Sequence, residues 1–171
     1  YSGSMRKHKN LERALKAYAL LKDKTNDLVL LGVEMENKKV LNQILEELKI
    51  AQKVIFMPYL SFQELVLLYN CASVLFFPTL YEGFGLPALE AMACEIPVVS
   101  SHNSSVSEVT GEAAAVIDPL SPTQMAETLE KVLVDQTMRQ KMIALGLEQA
   151  KKFTWRITAE KTLKIYQELL K

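Results

Sequence analysis

Five short, unbroken apolar runs, separated by stretches with helical spacing, constrain this chain more than any other feature. The runs are Asp27 to Val33, Lys53 to Met57, Ser73 to Pro78, Pro97 to Ser100 and Ala114 to Ile117. A strand buried on both faces of a parallel sheet is apolar at every position, not at every second one. Between the runs, Leu11, Ala14, Leu15 and Tyr18 recur at i, i+3, i+4, i+7, and Leu41, Ile44, Leu45 and Leu48 repeat the pattern. Ser61 with Glu64 reads as a capping box, and Ser121, Pro122 and Gln124 as an N-cap, a first-turn proline and a box partner. Such alternation predicts an α/β chain with a Rossmann-like, doubly wound parallel sheet.

The last third of the chain turns helical. Thr154 caps a final segment whose stripe is Trp155, Ala159, Leu163, Tyr166 and Leu170. With no repeat and no long linker, residues 1–171 read as a single domain. A composition of 49% hydrophobic and 23% charged residues excludes a disordered chain. Lys+Arg and Asp+Glu are 20 each, so the basic footprint of a general nucleic-acid binder is missing. No apolar run reaches the ~18 residues of a membrane span. Cys71 and Cys94 fall in apolar, helix-like contexts without metal-ligand spacing, which predicts buried thiols in a reducing compartment.

Doubly wound sheets bind ligands at the carboxyl ends of their strands, where strand order reverses. Counting back, the first strand ends at Tyr1-Ser2, so the chain reads as cut just inside the edge of something larger. Two loops then flank the crevice. The first, Gly3 to Asn10, carries Arg6, Lys7, His8 and Lys9 into the start of the Leu11 helix. Cations there oppose the helix dipole, so an anion such as phosphate accounts for them better than stability does. The second, Thr79 to Pro87, holds Gly83 and Gly85, which let backbone approach a ligand and take unusual dihedrals. Ala88, Ala91 and Ala93 make the following helix thin enough to lie close to the sheet. Glu82 precedes the glycines and Glu90 is expected in that helix's first turn. Carboxylates accept from neighbouring hydroxyls, so the pair suits a sugar or ribose diol. Neither a Walker A sequence nor a full G-x-G-x-x-G is present. His102, after the Pro97 run, reads as a polar loop residue.

The stretch Glu82-Gly83-Phe84-Gly85-Leu86-Pro87-Ala88-Leu89-Glu90-Ala91-Met92-Ala93 resembles the Glu-x7-Glu signature of retaining glycosyltransferases of family 4, group 1. The resemblance spans nearly the whole chain and keeps its order. GSMRKHKNLERAL is similar to the family's first loop and helix, KVIFMPYLSFQELVLLYNCASVLFFPTL to the approach to the signature, and FTWRITAEKTLKIYQELL to its last helix. It implies the C-terminal, donor-binding half of a two-domain GT-B enzyme, with the N-terminal acceptor domain outside this chain.

By that resemblance Lys9 and Glu82 are the catalytic residues, Lys9 on the donor diphosphate and Glu82 on donor-sugar hydroxyls. Glu90 accepts from the ribose diol, and the amides of Gly83, Phe84, Gly85 and Leu86 face sugar and phosphates. Gly3, Arg6 and His8 belong to the phosphate loop, and Ile55, Phe56 and Met57 border the base. The implied reaction is hexosyl transfer with retention, with no metal and no cofactor beyond the nucleotide-sugar donor. The SSVSEV stretch, Ser104 to Val109, and the HKN loop resemble bacterial mannosyl- and rhamnosyltransferases of polysaccharide assembly, which favours GDP-mannose over a UDP-hexose. The acceptor is a glycan or lipid-linked glycan, reached through the other domain, and the half alone is expected to be inactive. The implied location is cytoplasmic, with peripheral attachment of the full-length protein at the inner face of a membrane. His8 stands where many members carry Arg, Pro58 where they carry Gly, and Glu95 where Gly is common. A non-catalytic nucleotide-sugar-binding module and a UDP-sugar epimerase of the same architecture are the alternatives.

Overall fold

The computed structural model describes residues 1–33 and 38–170. Five strands, Leu28–Leu31 (β1), Val54–Met57 (β2), Leu75–Phe77 (β3), Val98–Ser101 (β4) and Ala114–Ile117 (β5), fall inside or within one residue of the five apolar runs. They alternate with Leu11–Leu20 (α1), Lys38–Glu47 (α2), Phe62–Cys71 (α3), Leu86–Ala93 (α4) and Ser104–Thr110 (α5), then pass to Pro122–Val134 (α6), Gln136–Ala150 (α7) and Trp155–Leu169 (α8).

All pairing is parallel. β1 pairs with β2, and β3, β4 and β5 form a second ladder in that order. The N-terminal stub extends the first ladder. Ser2 bridges Leu31 in parallel, with Leu31 N–H donating to Tyr1 O and Gly3 N–H to Leu31 O, both at 2.9 Å. The order is therefore β2-β1-stub, then β3-β4-β5, and the reversal falls between the stub and β3, where the sequence placed it.

The two faces of the sheet carry separate cores, as a doubly wound architecture requires. One core joins Leu11, Leu15 and Tyr18 of α1, Leu41 and Leu45 of α2, and Met125, Leu129 and Val132 of α6 to strand residues of both ladders, from Leu28 and Leu30 to Phe76, Val99 and Ile117. The other packs Tyr69, Ala88, Ala91, Met92 and Val106 against Leu75, Phe77 and Val98. A core that takes residues from both ladders makes them one domain. Burial at every position holds only for β3 and β4; β1 and β5 alternate toward the edges. The alternation in those two strands shows full cover on one face and partial cover on the other.

Local signals differ from expectation in four places. Ser61 and Glu64 close both arms of their capping box, and Ser121 caps α6. Gln124, however, accepts from Asp118 N–H at 2.6 Å instead of returning to Ser121. Cys71 is exposed and Cys94 half-buried, so the buried-thiol expectation is corrected. Cys71 ends α3 on its exposed side, and Cys94, just past α4, packs against the edge of the second core without being covered by it. Ala88 and Ala91 are fully buried, as a thin helix needs, but Ala93 faces solvent. Glu90 is the fifth residue of α4, past its first turn, and so lies beyond the reach of the N-terminal dipole, which fades within one turn.

No residue of α8 is buried. Trp155, Tyr166 and Leu170, the last just past the helix, are 87%, 59% and 87% exposed, so the apolar stripe read from the sequence faces solvent. No helix among the described residues is long and apolar enough to cross a membrane.

Candidate functional site

Asn10 builds the first loop. The stub leaves the sheet at Gly3, Lys7–Lys9 form a 3₁₀ turn, and Asn10, in a left-handed conformation (φ 61°), turns the chain into α1. Its side chain does not cap the helix. It is buried, and Nδ2 donates to Pro78 O at 2.8 Å and Pro119 O at 2.7 Å, at the exits of β3 and β5. Leu80 N–H adds a 2.7 Å bond to His8 O. One amide group thereby fastens the basic loop across the carboxyl edge of the second ladder.

Lys9 then meets Glu82. Lys9 Nζ donates to Glu82 Oε1 at 2.7 Å and Oε2 at 2.9 Å, joining residues 73 positions apart. The side chains are only 20% and 10% exposed, so water screens the pair weakly. The ammonium also lies 5.8 Å from the Phe77 ring centroid. Thr79 Oγ1 lies 2.9 Å from Glu82 Oε1, 2.9 Å from His8 O and 3.1 Å from Tyr81 O. A hydroxyl has one proton, so these three acceptors share it. Behind the carboxylate, Glu82 N–H donates to Ser104 Oγ at 3.0 Å and Ser105 O–H to Glu82 O at 2.8 Å. The start of α5 thus holds the backbone that carries Glu82.

A cleft of about 340 Å³ opens beside Lys9, lined also by Ser2, Gly3, Ser4, Gly32 and Tyr59 with Leu31, Leu60 and Leu65, and Lys9 joins it to Glu82. Gly3 lets the two neighbouring side chains pack close to the backbone. A Cβ on it would sit 3.2 Å from both Lys9 Cδ and the Tyr1 hydroxyl. Tyr1 O–H donates to Lys9 O at 3.0 Å, and burial, followed by the nearby Glu82 charge, raises its pKa.

In the second loop the two glycines differ. Gly85, at φ 102°, takes the left-handed dihedral that starts α4. Gly83 has no such dihedral, and nothing lies within 4 Å of where its Cβ would be. The expectation of an unusual dihedral holds for Gly85 and is corrected for Gly83, whose surroundings are open. Phe84 packs edge-on against Phe153, ring centroids 5.8 Å apart. Leu86 is exposed.

Glu90 makes a different contact. Tyr69 of α3 donates its hydroxyl to Glu90 Oε2 at 3.0 Å. Burial, then the Glu90 charge, raises the Tyr69 pKa, and burial with Glu90 raises that of Cys94. A tyrosine whose folded pKa is raised contributes stability that is complete below its unfolded value and lost as pH rises past it. We expect Tyr69 to stay protonated when folded, and the chain to lose stability above about pH 10. Tyr69→Phe should flatten that alkaline fall, measured as urea midpoint against pH; an unchanged slope would mean that another group carries it.

Of the residues singled out in the sequence, the structure brings together Gly3, His8, Lys9 and Glu82. Arg6 is exposed at the edge of the 3₁₀ turn. Ile55, Phe56 and Met57 lie on β2, with Ile55 43% exposed, and do not line the cleft. Tyr59 and Leu60, just beyond β2, line it, since the strand stays in the sheet through Met57. Thr79, Asn10, Tyr69 and Gly32 were not assigned site roles from sequence. Gly32, which closes the first apolar run at φ 79°, carried the one local signal that could have marked it.

Parallel ladders wound on both faces, with a basic loop and a carboxylate meeting at the strand reversal, define a Rossmann-like domain of the kind found in GT-B glycosyltransferases. Residues 1–149 match the family model for glycosyl transferases group 1, and the chain belongs to that family. It is 36% identical over 172 residues to the O-antigen chain mannosyltransferase B of Escherichia coli, covering 99% of this chain and 45% of that protein. It is 31% identical to the serotype-specific mannosyltransferase WbdA of Escherichia coli, covering 95% of this chain and 20% of that one. The chain therefore spans less than half the length of either relative. The crystal structure of a glycosyltransferase from Rickettsia africae superposes with a TM-score of 0.89 at 17% identity, covering 99% of this chain and 47% of that chain, which supports the fold.

Proposed function

We infer that this chain is the donor-binding half of a retaining hexosyltransferase that uses a nucleotide-diphosphate sugar. The observation that carries the reading is the Lys9–Glu82 pair beside the cleft at the strand reversal. A cation and a hydroxyl-accepting carboxylate, side by side, match the two chemically distinct parts of such a donor. Lys9 would take the diphosphate as a point charge, stabilising the leaving group as negative charge develops on it. Glu82 would accept from sugar hydroxyls and orient the ring. The amides of Gly83 to Leu86 are the proposed donors to sugar and phosphate, and the space around Gly83 suits that approach. Glu90, oriented by Tyr69, is the proposed acceptor for the ribose diol.

The mannosyltransferase names of the relatives favour a mannose-type donor, with GDP-mannose ahead of a UDP-hexose. They also favour a glycan or lipid-linked glycan as acceptor. Acceptor binding is assigned to an N-terminal domain outside this chain, so the half alone is expected to bind donor without transferring it. The location inferred with this function is cytoplasmic, with peripheral attachment of the full-length enzyme at the inner face of a membrane.

A thermal-shift panel of GDP, UDP, ADP and their common sugar conjugates tests the reading. A ligand at ~100 times its Kd adds about 2.7 kcal/mol, which raises Tm by roughly 5–11 °C for a domain of this size. We expect guanosine ligands to give the shift and Glu90→Ala to diminish it. A shift with uridine ligands alone would move the donor assignment to a UDP-hexose. No shift with any nucleotide would count against a donor site in this chain.

A further inference from the structure

The geometry points to Lys9 and Glu82 exchanging partners when donor binds, so that the site neutralises itself when empty and disfavours the sugar-free nucleotide. This rests on the donor-binding reading above and extends it to how product leaves.

Both oxygens of Glu82 are engaged by the one ammonium, at 2.7 and 2.9 Å. Neither group can serve a ligand fully while that bidentate bond stands. Two of the ammonium's three protons are engaged by Glu82, so a diphosphate that takes more than the third draws the ammonium from the carboxylate. The carboxylate, only 10% exposed, is then left without its cation and close to new negative charge. Leaving one member of a half-buried pair uncompensated is costly, and the low-dielectric surroundings increase the cost.

What the second partner can be follows from the chemistry of a carboxylate, which accepts and does not donate. Thr79 offers at most one proton, shared among Glu82 Oε1, His8 O and Tyr81 O. Ser104 and Ser105 hold the Glu82 backbone at its N–H and its carbonyl, so the carboxylate stays on the Lys9 side chain's side of the loop unless its own torsions turn. A ligand that brings hydroxyl donors with its diphosphate satisfies both halves of the broken pair. A free nucleoside diphosphate satisfies only Lys9. The pair therefore favours sugar-bearing nucleotide over bare nucleotide. Once the sugar has left, the pair can re-form and help expel the product.

The test compares wild type with Glu82→Gln by calorimetric titration of inorganic pyrophosphate, GDP and GDP-mannose, with the uridine pair run alongside. Glutamine keeps the size and removes the charge that competes for Lys9. We expect Glu82→Gln to bind pyrophosphate and the free nucleotide about five- to tenfold more tightly than wild type, and to lose the preference for the sugar conjugate. A role for Glu82 confined to holding the fold predicts equal or weaker binding of all probes. That result, with wild type still binding nucleotide, overturns the exchange and leaves the donor-binding reading standing. If neither chain binds any probe, both fall together. Should Glu82→Gln fail to fold, the wild-type chain supplies the same information by NMR. Pyrophosphate should shift the Lys9 ammonium and the Glu82 carboxylate carbon in one titration, and a carboxylate that does not move would overturn the exchange.

Discussion

Lys9→Met should reduce affinity for the nucleotide-diphosphate donor by roughly 10- to 100-fold, the equivalent of one charge-assisted hydrogen bond to phosphate. Methionine keeps much of the apolar stem of Lys9, so the packing of that stem is largely preserved. What is lost is the ammonium and both bonds to Glu82. The same substitution leaves the Glu82 carboxylate facing Thr79 without a cation. Because both side chains retain some exposure, the stability cost should be about 1–2 kcal/mol, below that of a fully buried pair, with Tm falling by roughly 2–8 °C. The double variant Lys9→Met/Glu82→Gln separates the two effects. Removing the stranded charge should restore most of the lost Tm, measured by calorimetry, and none of the lost affinity. Recovery of affinity in the double variant would show that Lys9 acts on the ligand only through the fold.

Asn10→Ala should lower stability by about 2–4 kcal/mol. Two effects add. The left-handed backbone at φ 61° suits asparagine and costs alanine of order 1 kcal/mol. The Pro78 and Pro119 carbonyls then lose their shared donor in a buried setting, at about 1–3 kcal/mol for unsatisfied buried groups. Asn10→Gly separates the terms, since glycine relieves the backbone and restores neither bond. Urea denaturation should rank the variants wild type, then glycine, then alanine. Nucleotide affinity should fall with Asn10→Ala even under conditions where the chain stays folded, because Asn10 holds the turn that aims Lys9. Equal affinity in the folded variant would mean that Leu80 N–H and Thr79 position the loop without it.

Much of this molecule is legible along the chain. The five strands, the capping box at Ser61, the helix starts at Ser121 and Thr154, and the reversal point were all expected from local chemistry. Each depends on a hydrophobic period or on a side chain reaching its own backbone a few residues away. Lys9 and Glu82 were singled out as well, because a basic loop and a glycine loop are each local patterns. The misses share one cause. Cys71, Ala93 and Glu90 were placed on helices, but their facing depends on a turn's worth of phase that helix boundaries set. Tyr59 and Leu60 come to line the cleft because β2 pairs with β1 through Met57, its last residue, and the chain leaves the sheet just beyond it.

The amino-acid pattern by itself determined the fold class, the strand order's turning point and the two loops that carry the chemistry, since these follow from periodicity and short-range hydrogen bonding. Only the tertiary structure decided that Lys9 grips Glu82 across 73 residues, that Asn10 ties the basic loop to two strand exits, and that Tyr69 orients Glu90. Those contacts join residues far apart in sequence, and their angles depend on how two ladders and two cores pack together, which no local spacing records.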